Sequence, residues 1–101
     1  MSVLTRVTTH FCGIHTGPFA DKPHGHTWEV TAWFRQGRDA RMLQELVRGH
    51  VQPLDHTSLD DHGLATDEAI AGWLGTTLSD RDCVRVSVRR PLEGMGAEWS
   101  L

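Results

Sequence analysis

Seven of the 101 residues are histidine, and four of these, His10, His15, His24 and His26, fall within one short stretch. Imidazole is the commonest side-chain metal ligand. In an extended segment residues i and i+2 face the same side, so His24-Gly25-His26 can direct both rings at one ion. Gly25 between them would let a neighbouring backbone come close. A catalytic zinc takes three protein ligands and leaves a fourth position open, so a third ligand must come from elsewhere. The segment before offers two. His15 shares a face with Phe11 and Gly13, whereas His10 shares the opposite face with Cys12 and Ile14. Only one of those faces can look towards the site. A second polar group, Asp55-His56, follows Pro53. An Asp beside a His can orient the ring and raise its basicity, as a general acid/base requires.

These side chains need elements to hold them. Val3 to His15, rich in Val, Thr, Phe and Ile, reads as a strand. A proline-bracketed loop follows, and His26 to Arg35 is a second strand, β-branched and aromatic. Asp39 is an N-cap candidate for a helix whose apolar positions Met42, Leu43, Leu46 and Val47 recur at helical spacing, with Gly49 as its stop. Thr66 caps a second helix carrying Ile70, Trp73 and Leu74 on one stripe. Asp82 to Arg89 alternates, with Val84, Val86 and Val88 on one side, which predicts a half-buried strand. A turn around Leu92 to Gly96 leads into a last strand, Ala97 to Leu101. The predicted class is α+β, in the order β-β-α-α-β-β, with an antiparallel sheet and the helices on one face.

Length and composition confine the functional classes. One domain over residues 1–101 is expected, with no repeat or linker. A domain this short buries only about two-thirds of its unfolded surface, so a metal or partner subunits would add needed stability. The net charge of -3 argues against nucleic acid as a partner. No run of about 18 apolar residues exists to span a membrane, and the first nine residues lack the apolar core of a signal peptide. Two cysteines, Cys12 and Cys83, are too few for a disulfide framework and fit a reducing cytoplasm.

Four segments together resemble the 6-pyruvoyltetrahydropterin synthase and 6-carboxytetrahydropterin synthase family. Phe11-Cys12-Gly13-Ile14-His15 resembles its Phe-x-Ala-x-His strand end. His24-Gly25-His26-Thr27-Trp28-Glu29-Val30 is similar to its His-Gly-His-x-aromatic-x-Val motif. Pro53 to Asp60 resembles its Leu-Asp-His-x-x-Leu-Asn stretch, and Ala65 to Leu74 its Pro-Thr-x-Glu-x-x-Ala-x-Trp helix start. The order is the same, and the four cover most of the chain. The resemblance implies a T-fold whose sheets assemble into a barrel, as homo-oligomeric trimers stacked into hexamers, with active sites between subunits. It implies that His15, His24 and His26 hold Zn2+, which decides between His15 and His10. It also implies a lyase-type activity on a small-molecule substrate. There the metal acts as a Lewis acid towards substrate oxygens, and Asp55 and His56 relay the proton.

The chain departs from that pattern in two functional places. The family's base is a Cys four residues before His-Gly-His, and Ala20 stands there. Asp21 is the carboxylate nearest that position. The family's third strand ends in a Glu that grips the pterin edge, and Arg90 stands there instead. Arg prefers carboxylate or phosphate, the reverse of what an aminopyrimidine wants. Glu93 in the following turn would restore an acid. Arg90 and Glu93 are therefore the substrate-binding candidates, and a divergent enzyme is expected, with a non-catalytic metal-stabilised assembly subunit as the alternative.

Overall fold

A computed structural model describes residues 3–18, 20, 22–35 and 37–101. Asp21 lies outside the described residues. Four strands, β1 (Leu4–His15), β2 (His24–Arg35), β3 (Cys83–Arg90) and β4 (Met95–Ser100), form one antiparallel sheet in the order β1-β2-β3-β4. Two helices, α1 (Ala40–Val51) and α2 (Asp67–Leu78), lie between β2 and β3 in sequence. Helix α1 packs on β1, and α2 packs on β3 and β4, so both cover the same face. The element order is the one the alternation and helical spacing predict.

Strand alternation decides what each face carries. Val7, Phe11 and His15 of β1 point into the core with Trp28, Val30, Ala32 and Phe34 of β2 and Val86 and Val88 of β3. The other face carries Arg6, His10, Cys12, Thr27, Glu29, Arg85 and Arg89 and is open. Phe11 and Trp28 pair directly across β1 and β2 and stack at 5.4 Å. The β1–β2 register also sets His15 opposite His24 and Gly13 opposite His26. Gly25 points to the open face, where an added Cβ would meet only the Gly13 carbonyl at an ordinary 3.6 Å. Among the described residues, the expected close backbone approach at Gly25 is therefore absent. Two other glycines are tight: a Cβ at Gly75 would collide with the Trp99 ring, which brings α2 down onto β4, and one at Gly96 would collide with the Val88 carbonyl across β3 and β4.

Caps define the helices. The Asp39 side chain accepts from Arg41 N at 2.8 Å, and the Thr66 hydroxyl accepts from Ala69 N at 3.1 Å. Helix α1 does not stop at Gly49. Leu43, Val47 and Val51 continue one buried stripe through it, and that burial outweighs the ~1 kcal/mol cost of a mid-helix glycine. A 3-10 turn over Gln52–Leu54, containing Pro53, ends it. Met42, placed on the apolar stripe by spacing, is 67% exposed.

The outer edge of β1 is partly covered. His56 N donates to the Cys12 carbonyl at 2.6 Å and Ile14 N donates to the Thr57 carbonyl at 2.9 Å, so residues 55–58 lie along the strand like a short extra one. The opposite edge, β4, has no neighbour beyond β3 among the described residues.

Candidate metal centre

His15, His24 and His26 converge at one end of the core face. One ring nitrogen from each lies within 4.8 Å of the others. Three atoms this close always share a point within about 2.8 Å of each, so closing to the 2.0–2.1 Å of a Zn–N bond asks under about 1 Å of each ring. The rings meet edge to face, with centroids 4.5, 5.0 and 4.7 Å apart, so no ring covers another's nitrogen by stacking.

The outer nitrogens decide the tautomers. His15 Nδ1 donates to the Ala65 carbonyl at 2.7 Å, and His24 Nδ1 donates to the Lys22 carbonyl at 3.1 Å. His26 Nδ1 donates to Glu93 Oε1 at 2.7 Å. Each partner is an oxygen that only accepts, so each Nδ1 carries the proton and each Nε2 is left with a lone pair. A ring held through one nitrogen while the other binds metal is the usual support for a histidine ligand. His15 Nε2 is buried with no hydrogen-bond partner among the described residues. A buried acceptor without a partner costs roughly 1–3 kcal/mol, and a cation is the partner this set lacks. The residues thus fit a zinc ion.

A cavity of about 380 Å³ opens beside His15 and His24, walled by Thr16, Ala20, Asp67 and Arg90 among others. Ala20, where the resembling family has its Cys, does stand in this wall. Arg90 sits here because β3 alternation puts it on the face of Val86 and Val88. Its Nε and Nη2 hold Asp67 Oδ2 at 3.1 and 3.0 Å, while Trp28 Nε1 donates to Asp67 Oδ1 at 2.9 Å. Arg90 Nη1 points to His26 Nε2 at 3.5 Å. Glu93, expected to face a substrate, uses its carboxylate on His26.

Asp55 and His56 lie elsewhere. Asp55 Oδ1 accepts from Cys12 N at 2.8 Å, and Asp55 Oδ2 accepts from His56 Nδ1 at 2.8 Å. The Cys12 backbone bond and then the His56 contact hold the Asp55 carboxyl below its usual range. His56 has φ of +59° and a side chain 80% exposed. It lines a second cavity of about 470 Å³ with Cys12, Ile14 and Thr27 of the open face, which His26 and Glu93 also border. His10 is on that face too, 3.4 Å from Glu29, so it is not a fourth ligand. Cys12 faces away from the three histidines and Cys83 is buried, where desolvation pushes its thiol pKa up.

Neither a sequence-family model nor a curated protein matches the chain. Among solved structures, that of Caenorhabditis elegans 6-pyruvoyl tetrahydropterin synthase superposes with a TM-score of 0.79. The match covers 100% of this chain and 96% of that one, at 14% identity. The fold is the T-fold of that synthase. Four strands and two helices in this order place the three histidines where strand ends meet the start of α2. The T-fold frame also explains which site residues escaped sequence reasoning. The Ala65 carbonyl, the Lys22 carbonyl and Asp67 carry no chemistry-bearing pattern of their own. A usable signal for the first and third was the Ala65-Thr66-Asp67-Glu68 helix start, whose cap forces this turn against His15.

Proposed function

We propose that this chain is a divergent zinc-dependent lyase or isomerase of the 6-pyruvoyltetrahydropterin synthase type. It would act by proton transfer on a small hydroxyl or carbonyl substrate, pterin-like or otherwise. The observation that carries the reading is the set of three histidines with every Nδ1 tied to an acceptor, which leaves a lone pair on every Nε2: that of His15 buried without a partner among the described residues, that of His26 met only by a long 3.5 Å contact from Arg90. Bound there, zinc would supply Lewis-acid polarisation of a substrate oxygen. The chain supplies the rest. Asp55 fixes the His56 tautomer through Nδ1, so His56 Nε2 is the atom that exchanges protons. That atom faces outward on the sheet face opposite the three histidines. In the barrel assembly that the T-fold supports, we assign it to the site of a neighbouring subunit. Exposed Leu92, Met95 and Leu101, at the β3–β4 turn and along the unpaired β4 edge, suit such packing.

Metal content is the deciding measurement. About one zinc per chain by mass spectrometry, lost in a His15→Ala, His24→Ala, His26→Ala triple variant, is expected. Hydrogen exchange on an α-hydroxyketone should then depend on the metal. A wild-type chain that takes up no zinc when supplied with it overturns the proposal.

A second reading is favoured by Ala20 and by the structural use of Asp55 on the β1 edge: a non-catalytic, metal-stabilised assembly subunit. It requires that His56→Ala change nothing measurable while His24→Ala dissolves the oligomer.

A further inference from the structure

Arg90 is held in an orientation that leaves one donor without a lasting partner. Its Nε and Nη2 are committed to Asp67 Oδ2, and Nη2 also reaches Met95 Sδ at 3.4 Å. Asp67 is in turn fixed by Trp28 through its other oxygen, so neither carboxylate oxygen is free to turn towards a ligand. The side chains of both residues are largely buried, 16% exposed for Arg90 and 10% for Asp67. That leaves Nη1, whose contact is the long one to His26 Nε2. The same lone pair is what a metal ion would occupy. Once His26 Nε2 is taken up by a cation, Nη1 loses its acceptor and a guanidinium edge faces a second positive charge. Both conditions call for an anionic oxygen placed between them.

We infer that the substrate carries a carboxylate next to the hydroxyl or carbonyl that the metal holds, and that Arg90 Nη1 is the specificity-determining donor for it. This rests on the metal reading above. Asp67 is a positioning residue, since it aims Nη1 at the histidine cluster without touching the ligand. The surroundings agree with a small anion. The cavity of about 380 Å³ beside His15 and His24 has Arg90 in its wall, and of its two acids Asp67 is fully paired while Glu68 is exposed at the rim. Its walls otherwise come from small residues, Gly17, Pro18, Ala20 and Ala65, which leave room for a short-chain acid. An aminopyrimidine edge, a donor itself, would find a donor opposite it at Arg90.

The test uses full-length protein loaded with cobalt(II), whose visible spectrum reports on ligands entering its coordination sphere. Two probes of similar size are titrated: glycolate, and hydroxyacetone, which replaces the carboxylate with a methyl ketone. Expected is tighter binding of glycolate in the wild type, with Arg90→Gln weakening glycolate on the order of tenfold and leaving hydroxyacetone nearly unchanged. Should the Gln variant not fold, Arg90→Lys keeps the charge beside Asp67 but removes Nη1, and glycolate alone should again weaken several-fold. Cobalt bound with glycolate affinity indifferent to Arg90 overturns this inference and leaves the metal reading standing. Cobalt not bound at all overturns both.

Discussion

The two faces of the β1–β2 ribbon end differ in how complete they are. On the core face, His15, His24 and His26 are each braced by an acceptor from the same chain, and His15 is 6% exposed. On the open face, Asp55 accepts from Cys12 N and from His56 Nδ1, yet His56 projects into solvent with its other ring nitrogen unopposed. Both are preorganised, but only one is enclosed. Preorganised donors and bases have value when water is excluded from the reacting centre. On the reading proposed above, the enclosed half belongs to one subunit and the exposed half to the site of another.

The sharpest way to break that division is to mix two disabled chains. His24→Ala should lose metal and His56→Ala should keep it, and each alone should lose on the order of a hundredfold or more in exchange rate. Co-assembled in equal amounts, they should recover about one quarter of wild-type activity if each site draws metal and base from different subunits. No recovery, with both chains shown in one oligomer, would mean that His56 serves its own chain's histidines around the sheet edge.

How much of this was legible beforehand follows from separation along the chain. Period-two alternation at Val84, Val86 and Val88 and the caps at Asp39 and Thr66 are local signals, and the elements they imply are present. Gly49 misled because burial of Val51 beyond it could not be weighed locally. The choice between His10 and His15 stayed open on residue types, since both faces of β1 carry apolar side chains: Val7 and Phe11 on one, Leu4 and Ile14 on the other. Packing of Phe11 on Trp28 puts His15, and not His10, on the face that carries His24 and His26. Contacts spanning 67, 39 and 23 residues, His26–Glu93, Trp28–Asp67 and Arg90–Asp67, leave no periodic trace. The resemblance supplied the ligand set, but not the bracing.

A smaller effect sharpens the core-face half. Glu93→Gln keeps a hydrogen-bond acceptor for His26 Nδ1 but removes the charge that raises ligand basicity. Zinc affinity, measured by competition with a chromophoric chelator, should fall roughly tenfold with the fold unchanged. An unaltered affinity would reduce Glu93 to a passive neighbour and reopen its expected role at the substrate.

The smallest effect lies on the open face and concerns stability. His56 holds φ at +59°, a left-handed conformation that costs a non-glycine residue on the order of 1 kcal/mol. Its side chain is exposed, and its pairing with Asp55 contributes little in water. His56→Gly should therefore be more stable than His56→Ala by about 1 kcal/mol, read from denaturant midpoints at equal slope. A strained, solvent-facing histidine that glycine would relieve carries a stability cost, which suits the proton-exchanging role proposed for it above. Equal stability of the two variants would remove the strain and, with it, this reason for assigning His56 to function.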